Sequence, residues 1–138
     1  MLSIEFKENL DEELDEKISI EFKKYADKNG VARNYMPFAF VAEDDDKLVG
    51  VITGNAYYNE VYIGELIVDE NYRGQHVGSK LLNAVEDYYK DKNFGSMNLA
   101  SYAFQAPEFY KKHGFELEFI REDKTNPKLT KYFFIKYF

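Results

Sequence analysis

The sequence contains no cysteine, and this absence excludes several kinds of chemistry. Without thiols the chain forms no disulfide, no thiolate metal site and no covalent intermediate on a cysteine nucleophile. It also lacks any apolar run near the ~20 residues that a membrane-spanning helix needs. The first residues, MLSIEFKENLDEELDE, have no basic region followed by an apolar core, so they do not read as a signal peptide. We therefore expect a cytoplasmic protein with no membrane partner.

Positive charge is also scarce, because 18 Lys and Arg residues face 25 Asp and Glu residues, a formal net charge of −7. Nucleic-acid binding depends on cations that neutralise phosphates, so the sequence predicts no nucleic-acid partner. An acidic surface favours cationic partners through its overall field, although it also serves solubility alone.

The length and composition predict one globular domain over residues 1–138. The apolar content of 45% and the charged content of 31% are ordinary for a folded domain. The 12 Tyr and 12 Phe residues stand without Trp, and we expect most of these rings in the core.

The hydrophobic pattern predicts a mixed α/β (α+β) fold. Residues 2–6 alternate as a strand does, and Leu14, Ile18, Phe22 and Tyr25 recur at helical spacing over residues 11–28. Three strands are expected between residues 38 and 68, with a hairpin tip at residues 44–46 and a turn at residues 59–60. A helix after residue 76, a strand, a short helix over residues 106–115 and two closing strands follow. The order predicts a central mixed sheet with helices on both faces.

The segment YRGQHVGS, residues 72–79, joins a strand to a helix. The unpaired N–H groups and the positive dipole end at such a helix start bind anions. Gly74 and Gly78 lack Cβ atoms, so the backbone there can approach a ligand closely. The glycine spacing fits neither a Walker loop nor a dinucleotide-binding fingerprint. The segment is therefore a candidate anion site of another kind.

Two segments resemble motifs of the GNAT superfamily of N-acetyltransferases. VDENYRGQHVGSKLL is similar to its acetyl-CoA-binding motif, in which Arg73 and Gly78 match the ends and His76 stands where glycine is usual. FQAPEFYKKHGFE resembles the downstream helix-and-strand motif of the family, with its Phe-Tyr pair and Gly-Phe ending. The resemblance covers nearly the whole chain and implies a GNAT-like three-layer arrangement around a mostly antiparallel sheet.

The resemblance also implies how acetyl-CoA would bind. The pyrophosphate would lie on the loop after the third predicted strand of that region, and Arg73 would pair with phosphate or support the loop. The pantetheine arm and the acetyl carbonyl would contact the backbone of a β-bulged strand, splayed from its neighbour. No metal is implied. The cofactor-binding residues expected on this basis are Leu66, Ile67, Val68, Arg73, Gly74, Gln75, His76, Val77, Gly78 and Ser79.

Two residues are candidates for the chemistry of acetyl transfer. Tyr110 matches the tyrosine of the family that reaches the thioester sulfur, and its ordinary pKa of ~10 suits a proton donor better than a base. Glu65 lies in the apolar strand VYIGELIV, where partial burial would suit a general base, but a salt-bridged or solvated position is an equal alternative. Glu60 and a water-relayed base stay open. His113 ends a helix, where a cation is favoured, and no catalytic role is expected for it.

The resulting hypothesis is transfer of an acetyl group from acetyl-CoA to a primary amine by direct attack in a ternary complex. A small cationic acceptor is preferred, and its pocket could be lined by aromatic side chains that could equally be core or surface. The alternatives are a non-catalytic acyl-CoA-binding module and a protein N-terminal or lysine acetyltransferase. The closing strand KYFFIKYF could pair across a homodimer or be internal. The candidate acceptor-pocket residues are Tyr35, Met36, Tyr57, Tyr58 and Tyr62.

Overall fold

The computed structural model describes all residues from 1 to 138, and these divide into two compact units. The first unit is Met1–Arg33 and the second is Asn34–Phe138. Each unit has its own secondary structure, and the candidate site residues named above all belong to the second.

The first unit contains one helix, α1, Glu12–Lys28, as the sequence predicts. The Asp11 side chain accepts a hydrogen bond from the backbone N–H of Leu14 at 2.8 Å and so caps the first turn. Gly30 takes a positive φ of 72° where the helix has ended, a conformation that glycine adopts without strain. The expected apolar stripe is present, but Phe22 and Tyr25 are 61% and 70% exposed.

The predicted strand at residues 2–6 is wrong. Residues 1–10 contain no regular secondary structure, and Leu2, Ile4 and Phe6 are exposed. An alternating pattern forms a strand only when a neighbouring strand satisfies its backbone N–H and C=O groups. The sheet of this protein begins instead at Met36.

The second unit is built on one six-stranded sheet with the order β1-β2-β3-β4-β6-β5. All neighbouring strands pair antiparallel except β3 and β4, which pair parallel. The fold class, a mixed and mostly antiparallel sheet with helices, is confirmed. The strands are β1 Met36–Asp44, β2 Lys47–Tyr57, β3 Glu60–Val68, β4 Ser96–Tyr102, β5 Glu116–Arg121 and β6 Lys131–Tyr137.

Two helices of this unit pack on the same side of the sheet. Helix α2, Val77–Tyr89, buries Leu82 and Val85 against sheet residues such as Ile52, and helix α3, Pro107–Lys112, adds Tyr110 to the same cluster. Each large apolar side chain that is fully buried in this way contributes roughly 1.5–3 kcal/mol. This core fixes where α2 and α3 begin relative to the strand ends.

The hairpin tip is where the sequence placed it. Asp45 and Asp46 both have positive φ, 48° and 68°, between the end of β1 and the start of β2. Aspartate tolerates this conformation better than most residues, and two successive positive φ values match the twist of a two-residue hairpin. No helix in the chain is long and apolar enough to cross a membrane.

Candidate active site

The sheet opens between its two parallel strands. β3 pairs with β4 through only three residue pairs, of which Tyr62 with Asn98 is the last. Beyond Tyr62 no residue of β3 pairs with β4, although β3 continues to Val68. The backbone of β3 from residue 63 to residue 68 therefore has no strand partner on its β4 side. An extended ligand with amide groups can pair with such an edge.

A β-bulge lies where the strands part. Gly54 of β2 is opposite Ile63, but Thr53 is opposite Glu65, so Gly64 is the extra residue in β3. There is no room for a side chain on β2 at this point. A Cβ on Gly54 would meet the carbonyl oxygen of Tyr62 in β3 and would lie 2.6 Å from the ring of Phe38 in β1. Bulges of this kind bend a strand and redirect its side chains near active sites. The bulge expected from the family resemblance is therefore present in the strand before the loop.

The bulge and register decide which side chains share a face. Ile52 is fully buried in the core and is opposite Leu66, so Leu66 faces the helices. The next pair along, Thr53 and Glu65, faces the opposite side of the sheet. Tyr110 belongs to the core on the helical side. Glu65 and Tyr110 are therefore on opposite sides of the opened sheet.

The loop after β3 has the geometry of an anion site. Gly74 and His76 both have positive φ, 82° and 63°, and helix α2 begins at the next residue, Val77. A left-handed conformation costs residues other than glycine roughly 1–2 kcal/mol, so His76 has a backbone conformation that favours glycine. The His76 side chain is exposed and makes no capping hydrogen bond. It therefore accepts no hydrogen bond from the first N–H groups of α2.

Arg73 supports the loop from within. Its Nε donates a hydrogen bond of 3.4 Å to the carbonyl oxygen of Val68, at the end of β3. Gln75 makes a similar contact, since its Nε2 donates to the carbonyl oxygen of Asn71 at 3.4 Å. This contact agrees with the loop-supporting role expected for Arg73, and its pairing with phosphate stays a prediction. Both side chains are exposed.

Gly78 and Ser79 connect the loop to helix α3. A Cβ on Gly78 would be 3.4 Å from the ring of Phe109, an ordinary contact distance. The Ser79 hydroxyl lies 2.8 Å from Nε2 of His113, and Nδ1 of His113 lies 2.8 Å from the carbonyl oxygen of Phe109. The helix that carries Tyr110 is thus joined to the first turn of α2. No local sequence pattern predicts this contact, because its partners are 34 residues apart.

Tyr110 is 9% exposed and packs against the rings of Phe109, Phe115 and Phe134. Burial raises the pKa of its hydroxyl above the ordinary value of 10, and no hydrogen bond contributes to this shift. The phenol is therefore protonated at neutral pH and can donate a hydrogen bond to a ligand atom. This state fits the acid role expected for it.

Glu65 is exposed rather than partly buried, so the expected desolvation of its carboxylate is wrong. Glu65 also makes no salt bridge with any cation of the chain. The alternative of a salt-bridged strand position is therefore wrong as well. The remaining interpretations are a solvated carboxylate or a base that acts directly or through water. Glu60, at the start of β3, is also exposed.

Asn98 of β4 is a candidate site residue that no sequence motif indicates. Its side-chain Nδ2 is buried and has no hydrogen-bond partner, the one such side-chain atom in the protein. Leaving a buried donor unpaired costs ~1–3 kcal/mol, so an unpaired group in a native fold calls for a ligand or water as partner. Asn98 is paired with Tyr62, where β3 and β4 part. It therefore marks the same opening as the bulge.

Four tyrosines surround the start of β3. Tyr57 and Tyr58 stack with ring centroids 4.1 Å apart, and Tyr35 meets Tyr57 edge-on at 5.3 Å. Asn34 fixes the turn through two hydrogen bonds with the backbone of Tyr58, 2.6 and 3.0 Å long. Tyr62 is 42% exposed and shares the face of Glu65. The rings expected for an acceptor pocket are thus partly at the surface, as is Met36.

The second unit thus contains a sheet that opens between β3 and β4, a loop with two positive φ values at the start of α2, and a buried tyrosine on α3. The family model of the GNAT acetyltransferases, described as the Acetyltransferase (GNAT) family, matches residues 3–115. The chain belongs to this family, and it is an acetyltransferase.

Solved structures agree with this assignment. An acetyltransferase from Bacillus cereus ATCC 14579 is 31% identical, with 97% of this chain and 98% of that chain covered and a TM-score of 0.78. A proposed acetyltransferase from Agrobacterium tumefaciens is 18% identical over 99% of this chain and 100% of its own, with a TM-score of 0.84, which shows the fold.

A third structure contains a ligand. A proposed streptothricin acetyltransferase from Bacillus anthracis str. Ames, solved in complex with acetyl coenzyme A, is 22% identical. The alignment covers 74% of this chain and 62% of that chain, with a TM-score of 0.66. No curated protein matches the chain.

Proposed function

We propose that this protein transfers the acetyl group of acetyl-CoA to the primary amine of a small cationic molecule by direct attack in a ternary complex. The observation that carries the proposal is the opened sheet, with the protonated Tyr110 on one side and the Glu65 carboxylate on the other. A proton donor for the leaving group and an acceptor for the amine proton are needed on different sides of the reacting carbonyl.

Acetyl-CoA fits the residues that surround the opening. The pyrophosphate would be bound by the backbone N–H groups of residues 74–79, a segment with two positive φ values that leads into the start of α2. The pantetheine amides would pair with the free edge of β3 at Leu66, Ile67 and Val68. The cosubstrate supplies the acetyl group as a thioester.

The residues of the chain would then act on protons and hydrogen bonds. Glu65, directly or through a water molecule, would take the proton that the acceptor ammonium must lose before its nitrogen can attack. Tyr110 would donate to the departing sulfur, and the unpaired Asn98 amide would donate to an oxygen at the opening. Overall an ammonium and acetyl-CoA become an acetamide, CoA thiol and one proton, which leaves to solvent.

The preference for a cationic acceptor is supported by charge and by aromatic rings. The chain has a net charge of −7, and Glu60 and Glu65 are exposed on β3. Tyr58 and Tyr62 expose 46% and 42% of their surface, and a cation over such a ring gains about 0.5–1 kcal/mol. The proposal includes the cytoplasmic location expected from the sequence. The closing strand β6 is internal, paired with β4 on one side and with β5 on the other, so the expected alternative of its pairing across a homodimer is wrong and is not part of the proposal.

The test is release of CoA thiol from acetyl-CoA in the presence of a panel of amines. Since the chain has no cysteine, a thiol reagent detects the CoA product with no background from the protein. The panel should contain polycationic small amines, neutral and anionic amines, a peptide with a free N-terminus and a lysine peptide. Mass spectrometry of each amine confirms where the acetyl group has gone.

The proposal predicts release that depends on an amine and is fastest with a small cation. Faster acetylation of the peptides would contradict the acceptor class, and release without any amine would indicate hydrolysis instead. Binding of acetyl-CoA with no release for any amine would favour a non-catalytic acyl-CoA-binding module.

A further inference from the structure

Resting on the proposed phosphate site, we infer that His113 is a positioning residue that sets the direction of the Ser79 hydroxyl, and that phosphate binding is thereby coupled to protonation of His113. The imidazole makes two short hydrogen bonds, one to Phe109 of α3 and one to Ser79 of α2.

The first hydrogen bond fixes the tautomer. Nδ1 of His113 lies 2.8 Å from the carbonyl oxygen of Phe109. A carbonyl oxygen can only accept, so Nδ1 must carry the hydrogen. The ring is held further by Phe109, whose centroid is 4.3 Å from that of the imidazole. Only Nε2 is then free to change its protonation state.

The second hydrogen bond reverses with the charge of the ring. Nε2 lies 2.8 Å from the Ser79 hydroxyl oxygen. In neutral His113, Nε2 accepts, so the single hydroxyl hydrogen of Ser79 points at the imidazole. In cationic His113, Nε2 donates to the hydroxyl oxygen, and the hydroxyl hydrogen is released for another acceptor.

An anion at the start of α2 distinguishes these two states. Ser79 is the third residue of α2, within the turn whose N–H groups would bind the phosphates. Opposite neutral His113, the hydroxyl would turn only lone pairs to a phosphate oxygen, which repels them. Opposite cationic His113, it would donate a hydrogen bond to that oxygen. Phosphate binding should therefore favour proton uptake by His113, and by linkage protonation should tighten phosphate binding.

The charged groups around His113 do not remove this coupling. From β6, the Lys136 Nζ donates to the carbonyl oxygen of His113 at 3.0 Å, and the same Nζ pairs with Glu86 of α2 at 2.8 Å. This pair contributes one charge of each sign. On α3 itself the neighbouring cations, Lys111 and Lys112, are exposed and therefore screened. Histidine is also the side chain whose charge ordinarily changes between pH 5 and 8.

The experiment measures protons taken up when CoA binds. Calorimetric titrations of the intact protein with CoA are carried out at one pH near neutrality, in two buffers of different ionisation enthalpy. Three proteins are compared: the wild type, His113→Gln and Ser79→Ala. His113→Gln keeps an amide that can bond Ser79 but cannot titrate, whereas Ser79→Ala keeps the titrating ring and removes the coupled hydroxyl. CoA's own phosphate titration is common to all three and cancels in the difference.

The wild type should take up more protons per CoA than either variant, by a difference of several tenths of a proton. Its CoA affinity should also gain several-fold more than that of the variants between pH 8 and pH 6, within the 5–150-fold range usual for coupled sites. A purely structural role for His113 would lower affinity in the variants without changing the proton count.

Equal proton uptake in the wild type and both variants, within about one tenth of a proton, would overturn the inference while leaving acetyl-CoA binding intact. Failure of the wild type to bind CoA at all would overturn the proposed phosphate site and this inference together. If His113→Gln unfolds, the comparison of wild type with Ser79→Ala decides alone, because Ser79 is half-buried and its hydroxyl has His113 as its partner.

Discussion

Replacing Tyr110 with Phe separates the acid role of this residue from its role in the core. The side chain is 9% exposed and contacts three phenylalanine rings, all of which a phenylalanine at position 110 would still contact. Burial raises the pKa of the hydroxyl, and no hydrogen bond contributes to this shift. Removing it therefore loses no intramolecular hydrogen bond, and the free energy of unfolding should change by less than ~1 kcal/mol.

The rate of acetyl transfer should respond very differently. Positioned proton donors contribute typically 10²–10⁴-fold, so kcat of Tyr110→Phe should fall roughly 10²-fold or more. A 10²-fold loss corresponds to about 2.7 kcal/mol of transition-state stabilisation. Affinity for acetyl-CoA should be nearly unchanged, because the loop and the β3 edge that would bind it are untouched. Thiol release gives kcat, calorimetry gives affinity and thermal unfolding gives stability.

Tyr89→Phe is a matched control for this experiment. Tyr89 is 5% exposed in the same core cluster, and burial raises its pKa as well, but it lies at the far end of α2 from the loop. Its substitution should leave kcat unchanged. An unchanged kcat for Tyr110→Phe would refute the acid role, and an equal loss in both variants would refute the assignment of that role to position 110.

Three further predictions concern the bulge, the base and a turn. Gly54→Ala should lower the free energy of unfolding by about 3 kcal/mol, because the new Cβ would meet the Phe38 ring at 2.6 Å and the carbonyl oxygen of Tyr62. Chemical denaturation measures this loss, and Gly64→Ala is the control, because the atom nearest to its new Cβ would be 3.5 Å away. Glu65→Gln should lower kcat about 10²-fold and shift its pH profile if Glu65 is the base, and an unchanged profile would assign the proton to water or Glu60. Hydrogen bonds from Asn126, then from the Thr125 side chain and backbone, lower the pKa of Asp123. Its depressed pKa means that the stabilisation is present above its unfolded pKa and lost as pH falls, so Asp123→Asn should lower Tm at pH 7 but not in strong acid; equal effects at both would contradict this.

Local sequence patterns predict the helix ends, turns and loops whose structure depends on neighbouring residues. Helix α1 lies between Asp11 and Gly30, two aspartates with positive φ form the hairpin tip between β1 and β2, and the glycine loop leads from β3 into α2. Capping, turn formation and helical periodicity depend on residues within a few positions of each other, so they can be read from one sequence.

The failures concern properties that depend on distant partners. Residues 2–6 alternate like a strand but have no strand to pair with, and the apolar stripe of α1 is largely exposed at Phe22 and Tyr25. The burial of Glu65 depends on the face of the sheet on which its side chain lies, and the bulge at Gly64 determines that face. A bulge of one residue reverses every later side chain, and periodicity alone does not locate it.

Asn98 and His113 also cannot be identified from the sequence, because their surroundings depend on distant parts of the chain. Asn98 is an ordinary strand residue until the sheet opens beside it and leaves its amide unpaired. His113 ends a helix, and only the packing of α3 against α2 brings it to Ser79. Tyr110, in contrast, was found because the surrounding motif resembles that of a known family.

The central claim is that the loop at residues 72–79 and the opened sheet bind acetyl-CoA. The most direct test is calorimetric titration of the wild type and of Gly78→Glu with acetyl-CoA, with thermal unfolding to confirm that both are folded. The new carboxylate would lie at the first turn of α2, where it would repel the phosphates, so the account predicts micromolar binding by the wild type and none by the variant. Equal binding by both proteins, or no binding by the wild type, would contradict it.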